Sequence, residues 1–186
     1  MNRLVIIPDD AHEALGFSLK PRLVGIAREI NAHNLAQVMG TQALRSFHAA
    51  ADDSNCELLL WANEGKNFVV ALSTRAPKEL VEGYARADAQ EGMIARVMGS
   101  GRSESAVADA LEAADWTNLE MLRGCEIEAM ASSPVFLFEN ITLVLSRVSY
   151  EKNLTAPLRA PAELASLLGR LIEDRLIRAT LGIESI

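Results

Sequence analysis

The order of elements in the sequence predicts an α+β fold built on antiparallel strands. Two segments each hold a pair of short apolar runs around a polar turn, which is the pattern of a β-hairpin. Helical spacing of apolar residues occurs before the first hairpin, between the two hairpins and after the second. The expected order is therefore helix, hairpin, a mixed helical middle, hairpin, and a long amphipathic terminal helix.

A helix-forming segment comes before the first hairpin. Pro21 suits the first position of a helix, where its missing N–H removes no helical hydrogen bond. Apolar residues then recur at helical spacing from Leu23 to Phe47. Residues 31–34, Asn-Ala-His-Asn, leave open whether this segment is one helix or two.

The two hairpins are predicted from their turns. The first lies in CELLLWANEGKNFVVALS, where the polar loop at 62–67 contains a glycine. The second joins the runs 134–138 and 141–150 through a tight turn at residues 139–140, Glu-Asn. Apolar and polar residues alternate in the last run, so that strand is expected to have one buried and one wetter face.

The segment 91–105, EGMIARVMGSGRSES, raises the question of a phosphate-binding loop. Such a loop needs a strand before it, a Lys-Ser or Lys-Thr pair, and a helix after it. Here a helical run precedes the glycines and no such lysine follows. We therefore interpret Gly99 as the left-handed residue that ends a helix, with Gly101 extending the turn. That helix is expected to begin at Pro77 and to be broken near 90–92.

Length and charge restrict the classes of partner. The chain has 186 residues, and we assign residues 1–20 to an N-terminal extension and residues 21–186 to a single domain. A net charge of -7 with scattered basic residues argues against binding to duplex nucleic acid. Neither a membrane span nor the apolar core of a signal peptide is found. We expect a cytoplasmic protein that has neither nucleic acid nor a membrane as a partner.

No arrangement of reactive side chains predicts an active site. Cys56 and Cys125 lie far apart, which favours two reduced thiols over a disulfide or a redox pair. The three histidines lack the spacing that places two metal ligands on one helix face. No Gly-x-Ser-x-Gly nucleophile turn occurs. The sequence therefore predicts no catalytic residue, no metal site and no enzyme.

Three segments of the chain resemble a GAF domain: CELLLWANEG with NFVVALS, EGMIARVMGSGRS, and IEAMASSPVFLFENITLVLSRVSY with the leucine-rich helix after it. The family places a glycine and two apolar residues ahead of a valine and a later glycine, then an acidic residue, then a hairpin that begins with proline. The residues that fit are Gly92, Met93, Ile94, Val97, Gly99, Gly101, Asp109, Pro134, Leu143, Val144 and Leu145. The resemblance covers roughly residues 35–181.

The resemblance implies a central antiparallel sheet of five to six strands, with the N- and C-terminal helices on one face. The middle helices and loops would cover the other face and enclose a pocket. The implied lining is Leu60, Tyr84, Met93, Val97, Arg102, Trp116, Met121, Arg123 and Phe136. Arg102 or Arg123 would hold a carboxylate or phosphate of a small ligand. The alternative interpretation is that the apolar members simply fill the core.

The function implied by the resemblance is regulatory. The chain would sense a small ligand or bind a protein in signal transduction, and a protein partner would carry the output. The signature residues of cyclic-nucleotide-binding and bilin-binding members are not matched, nor are the cysteines of free-methionine-sulfoxide reductases, so the cofactor is unknown. A small thiol-dependent enzyme that uses Cys56 or Cys125 and a ligand-free structural adaptor are the alternatives.

The terminal helix carries a wide stripe of leucines. Pairing with the 21–50 segment and with a second copy of the chain would bury the excess apolar surface. We therefore expect a homodimer through the terminal helices, with contacts from Leu167, Leu171, Leu176, Ile26 and Ile30.

Overall fold

The computed structural model describes residues 9–50, 56–65, 67–74, 86–88, 91–107, 110, 128–150 and 158–183. Ten helices and strands lie in these residues. They are α1 (Asp9–Arg28), α2 (Leu35–Ala49), β1 (Cys56–Glu64), β2 (Asn67–Ser73), β3 (Arg86–Asp88), α3 (Gly92–Ser100), β4 (Glu104–Val107), β5 (Ala129–Leu137), β6 (Asn140–Ser149) and α4 (Ala162–Thr180). The predicted α+β class is confirmed.

The strands form one six-stranded sheet in the order β3-β2-β1-β6-β5-β4, and all neighbouring pairs are antiparallel. Both predicted hairpins are present, as β1–β2 and β5–β6. The two hairpins meet where β1 pairs with β6 at the centre of the sheet. The central strands are therefore contributed by the two most apolar segments of the chain.

Each face of the sheet packs into its own apolar cluster. Leu58 and Leu60 of β1 lie on one face, in a cluster with residues of α1, α2 and α4. Leu59 and Trp61 lie on the other face, in a cluster with residues of α3. Successive side chains of a strand point to opposite faces, and both faces of this sheet are covered, so β1 is buried along most of its length. The expected separation of terminal helices on one face and a middle helix on the other is confirmed.

Burial of both faces corrects the expectation of a wetter face on the last strand. Val144 and Val148 are fully buried on the α3 face, and Leu143 and Leu145 are fully buried on the opposite face. The alternating polar residues therefore do not mark a solvent-facing side: Ser146 is fully buried on the α3 face, and Arg147 lies on the opposite face beside Leu145.

Residues 21–50 hold the end of α1 and the whole of α2, separated by a turn at 31–34, and α2 is kinked at Gly40, which has φ 66° and ψ 178°. The Asn31 side chain accepts from the backbone N–H of His33, at 2.9 Å, and the Asn34 side chain accepts from that of Asn31, at 2.9 Å. Asparagine side chains of this kind compete with the helical hydrogen bonds of the backbone. The two asparagines therefore account for the break.

The helix α1 runs without interruption from Asp9 to Arg28 across the boundary expected between residues 20 and 21, and Pro21 lies inside it. Proline removes one backbone hydrogen bond from a helix but does not prevent the helix from forming. Leu23 and Ala27 beyond Pro21 are buried in the core. The prediction that Pro21 begins a helix is therefore wrong.

The middle of the chain also differs from the prediction. The helix expected from Pro77 is contradicted at 86–88, which form β3 against β2. Pro77 itself lies outside the described residues. The helix in EGMIARVMGSG begins at Gly92 and ends after Ser100.

The glycine pair ends α3, as expected, but the second glycine has the left-handed conformation. Gly101 has φ 67° and donates its N–H to the carbonyl of Val97 at 2.9 Å, whereas Gly99 lies within the helix. A left-handed residue just after a helix is the usual role of glycine. The phosphate-loop alternative is thus excluded by the helix that precedes these glycines.

The β5–β6 turn lies one residue earlier than predicted. Phe138 and Glu139 have φ 50° and 68°, and they are the only described residues other than glycine with positive φ. Two successive positive φ angles match the tight turn that suits the twist of a hairpin, which usually holds Asn-Gly. The carboxylate of Glu173 accepts from the backbone N–H of Phe138 and so fixes this turn against α4.

Replacing Glu139 with glycine is expected to raise the free energy of unfolding by about 1 kcal/mol, because it removes left-handed strain. The change also removes the ion pair with Lys20, of 2.9 Å, but both side chains are more than half exposed and solvent screens the pair. Glu139→Ala is the matched control, since it removes the ion pair and keeps the strain. Urea denaturation in which Glu139→Gly is no more stable than Glu139→Ala would contradict the expectation.

The last helix packs very closely on β5. A Cβ atom added at Gly169 would lie 2.6 Å from the backbone oxygen of Phe136. Gly169 therefore allows α4 to approach the backbone of the strand directly. None of the helices in the described ranges is long and apolar enough to cross a membrane.

Candidate functional site

The sheet face under α3 carries a chain of buried polar side chains, and we call it the polar face. The indole Nε1 of Trp61 donates to Ser146 Oγ at 2.9 Å, and Ser146 Oγ lies 2.7 Å from Ser132 Oγ. All three residues are fully buried. They belong to the adjacent strands β1, β6 and β5, so the hydrogen bonds cross the centre of the sheet.

A buried carboxylate lies at the start of β1 on the same face. Glu57 is 3% exposed, and Tyr150 Oη donates to its Oε2 at 2.6 Å. The hydroxyl of Ser73 donates to the other oxygen, Oε1. A charged group is retained in the interior only when hydrogen bonds compensate for its lost hydration. Glu57 lies four residues before Trp61, about 13 Å along the strand.

The helix α3 covers this face with apolar side chains. Met93, Ile94 and Val97 are buried in one cluster with Trp61, together with Phe68, Val70, Met130, Val144 and Val148. The polar face therefore combines a mainly apolar surface with a few buried hydrogen-bonding groups. That combination is typical of small-molecule sites, in which polar groups orient a ligand held by apolar contacts.

The structure brings together only part of the predicted pocket lining. Met93 and Val97 lie on the polar face, where they were expected. Leu60 does not, since it is fully buried on the opposite face among the terminal helices. Leu60 has the opposite parity to Leu59 and Trp61 along β1, so its side chain points away from the polar face. Tyr84, Trp116, Met121 and Arg123 lie outside the described residues.

Two further members of the predicted lining are exposed. Phe136 is 45% exposed, and Arg102 is an exposed residue just after α3. Phe136 borders a cavity of about 440 Å³ between the end of β5 and α4, whose lining includes Gly101, Ser103, Ser133, Ser166 and Arg170. This cavity lies beside the last helix, so Phe136 marks a place different from the pocket that the sequence predicted.

Sequence reasoning missed Glu57, Trp61, Ser132, Ser146 and Tyr150, which carry the hydrogen bonds of the polar face. The signal for the first two was present in CELLLWANE, where alternation places Glu57, Leu59 and Trp61 on the same side. A carboxylate inside an apolar run is a candidate functional residue because its burial needs compensation. The serines carried no comparable signal.

Comparisons with known proteins give a fold but no family. No family model matches the sequence, and no curated protein matches it. The chain is similar to the GAF domain of a phosphoenolpyruvate-protein phosphotransferase from Coxiella burnetii, with TM-score 0.55 and 12% identity over 89% of this chain and 95% of that one. A GAF domain of the corresponding Acinetobacter protein gives TM-score 0.51 and 14% identity, over 90% and 96%. The fold is GAF-like.

The GAF-like fold is also found in an enzyme. A free methionine-R-sulfoxide reductase from Neisseria meningitidis, solved in complex with its substrate, gives TM-score 0.55 and 15% identity. The similarity covers 98% of this chain and 99% of the reductase. GAF domains of two phosphotransferases and a reductase thus share this architecture, and at such identities the likeness concerns the fold alone.

Cys56 is not placed where a reaction on the polar face would need a thiol. Cys56 is buried at the start of β1 and shares the parity of Leu58 and Leu60, which puts it on the face of the terminal helices of the GAF-like fold. Cys125 lies outside the described residues. No group of three or more metal-binding side chains occurs in the described part of the chain.

The five residues predicted to form a dimer contact differ in their burial within the single chain. Leu176 and Ile30 are 0% and 2% exposed in the single chain, where they belong to the core beneath the terminal helices. Leu171 and Ile26 are partly buried against the same core, and Leu167 is exposed. The leucine stripe is wide because α4 packs on both α2 and the sheet. Most of its leucines are therefore already buried or partly buried within the single chain.

Proposed function

We propose that this chain is a regulatory module that senses a small molecule on its polar face. The single observation that carries the proposal is the buried set of Glu57, Trp61, Ser132 and Ser146 on the sheet face opposite the terminal helices. Hydroxyls and a carboxylate add little to a core that apolar side chains fill, and they are suited to orienting a ligand. A protein partner would receive the signal.

The proposal is supported by the two-layer arrangement of the fold. The polar face is covered by α3, whereas the opposite face carries α1, α2 and α4. A ligand that displaces α3 would change the strands that also support the terminal helices. Regulatory changes commonly proceed by such small shifts of packed helices.

Native mass spectrometry of protein purified from cells tests the proposal. We expect a small molecule that is retained under native conditions and released on denaturation. Glu57→Gln keeps the shape of the side chain and removes its charge, so it is expected to lower the retained fraction. Ser166→Ala is the matched control, because Ser166 is an exposed residue of α4, and this variant is expected to leave the retained fraction unchanged.

Two outcomes of the same measurement count against sensing. Protein that repeatedly carries no small molecule favours the structural adaptor. An equal decrease of the retained fraction in Glu57→Gln and Ser166→Ala would place the ligand away from the polar face.

A thiol-dependent enzyme is the second candidate, and the reductase similar over nearly the whole chain favours it. Such an enzyme would have to use Cys125, because Cys56 is buried among the residues that face the terminal helices. Mild alkylation at neutral pH separates the two functions. Rapid modification of Cys125 in the folded protein supports the enzyme, and two slow thiols support the regulatory module.

We further propose a homodimer whose contact uses the exposed apolar residues of the last helix and its end. These are Leu167 and Ile177, each 37% exposed, and Leu181, 44% exposed. Leu167→Glu is expected to convert the dimer to a monomer, because it buries a charge in the contact. Ser166→Asp adds the same charge beside it and is the control. Analytical ultracentrifugation that gives the same mass for the unmodified chain and for both variants would contradict this proposal.

A further inference from the structure

A second cavity, of about 280 Å³, lies where α4 begins, and two arginines line it. Arg147 comes from β6, Arg159 from the segment before α4, and Pro161 and Ala162 from the start of the helix. Arg147 shares the parity of Leu143 and Leu145, so it lies on the sheet face that carries the terminal helices. The cavity is therefore separate from the polar face.

The side chain of Arg147 makes no hydrogen bond or ion pair within the described ranges, although its backbone pairs with both neighbouring strands. Its Nε is buried and has no hydrogen-bond partner. The residues paired with it on the two neighbouring strands are Leu58 and Ala131, which are buried and apolar. A buried donor without a protein partner is rare in folded proteins, and such a donor often binds a water molecule or an ion.

The other charges around the cavity leave it positive. Arg159 forms an ion pair with Glu163 one turn later, and both side chains are largely exposed. This pair is neutral, so the charge of Arg147 remains uncompensated among the described residues that line the cavity. The electrostatics favour an anion.

The start of α4 adds donors to the same cavity. Pro161 precedes the helix and gives no side-chain cap, and Glu163 and Leu164 of the first turn line the cavity. The amide of Ala162 donates to the carbonyl of Ala160 at 2.9 Å, so the donors left for a ligand are the next amides of the first turn, those of Glu163 and Leu164. Such amides lack intrahelical partners and carry partial positive charge. A guanidinium together with such amides is a donor set that suits a phosphate group.

We propose that this cavity binds a phosphate group, held by the guanidinium of Arg147 and by the amides of Glu163 and Leu164 in the first turn of α4. The group is either inorganic phosphate or the phosphate of a small monoester. Its binding would tie the central strand β6 to the last helix. The proposal does not depend on the ligand of the polar face.

Isothermal titration with inorganic phosphate at constant ionic strength tests the site. Arg147→Met keeps the apolar stem and removes the donors, so we expect phosphate affinity to fall by about tenfold or more. Arg170→Met is the matched control, because Arg170 is an exposed arginine of α4 that does not line this cavity. Phosphate affinity should be unchanged in that variant.

Thermal unfolding separates ligand binding from a structural role. Without phosphate, Arg147→Met is expected to melt no lower than the unmodified chain, because it removes a buried donor that has no partner. Phosphate should raise the melting temperature of the unmodified chain and of Arg170→Met, but not that of Arg147→Met. A lower melting temperature of Arg147→Met without phosphate would overturn the inference, as would equal phosphate binding by all three proteins or no binding by any.

Two comparisons define the ligand class. Tighter binding of a small phosphate monoester such as glycerol phosphate would assign the cavity to monoesters, and tighter binding of inorganic phosphate would assign it to the free ion. Acetate that binds as tightly as phosphate would contradict the assignment to phosphate.

Discussion

Gly169→Ala is expected to lower the free energy of unfolding by about 2 kcal/mol. The added Cβ would lie 2.6 Å from the backbone oxygen of Phe136, and a backbone atom cannot move aside as a flexible side chain can. Either α4 or β5 must therefore shift, and this shift disturbs the packing of Leu168 and Ile172 beside the glycine. Urea denaturation of the purified variant measures the loss.

The sign of this effect makes it diagnostic, because alanine normally stabilises a helix interior by about 1 kcal/mol relative to glycine. Gly25 of α1 is the matched control, since it is an exposed helical glycine with no atom within 4 Å of an added Cβ. Gly25→Ala is expected to stabilise the chain. If Gly169→Ala also stabilises it, α4 does not approach β5 as closely as the structure indicates.

Ser146→Ala is expected to lower the free energy of unfolding by about 2 kcal/mol, because it leaves other buried groups without partners. The indole N–H of Trp61 loses its acceptor, and the hydroxyl of Ser132 loses its neighbour. With Trp116→Phe as the background, Trp61 is the remaining tryptophan. Its fluorescence should then shift to shorter wavelength when Ser146 is replaced.

A double-mutant cycle shows whether the three groups act as a unit. Ser132→Ala alone should destabilise the chain, but it should add little once Ser146 has been replaced, because the shared hydrogen bond is already lost. Additive effects of the two substitutions would show that the serines act independently. Ser166→Ala again serves as an exposed control, with a change of about 0.5 kcal/mol or less.

Much of the fold could be predicted from local patterns. The hairpins appear as paired apolar runs, and α4 appears as a stripe of leucines after Pro161, because both patterns arise from burial of one or two faces. The end of α3 could be predicted from its glycines for a related reason, since the left-handed conformation of Gly101 is one that glycine adopts readily.

The parts that failed depend on long-range contacts. Phe138 and Glu139 adopt a turn conformation unfavourable for their types, and Glu173, distant in sequence, accepts the N–H of Phe138. Pairing with β2 makes 86–88 a strand where local periodicity suggested a helix. Tertiary structure decides both outcomes.

The candidate site was harder to predict than the fold. Ser132 and Ser146 are ordinary residues in sequence, and only the register of β5 against β6 brings their hydroxyls together. Leu60 was assigned to the wrong face because a continuous apolar run does not reveal which of its alternate residues face which layer. Strand parity would have resolved the choice once one anchor such as Trp61 was known.

The short edge strands of the sheet disfavour strand pairing between two molecules of this protein. β3 and β4 have three and four residues and close the two ends of the sheet, and Pro134 follows the part of β5 that β4 covers. Because the edge strands are short and β5 carries a proline, few backbone amides are free to pair with a strand of a second molecule. Extension of the sheet from one molecule into the next is therefore disfavoured. We therefore expect any contact between copies to be made by side chains rather than by pairing of edge strands.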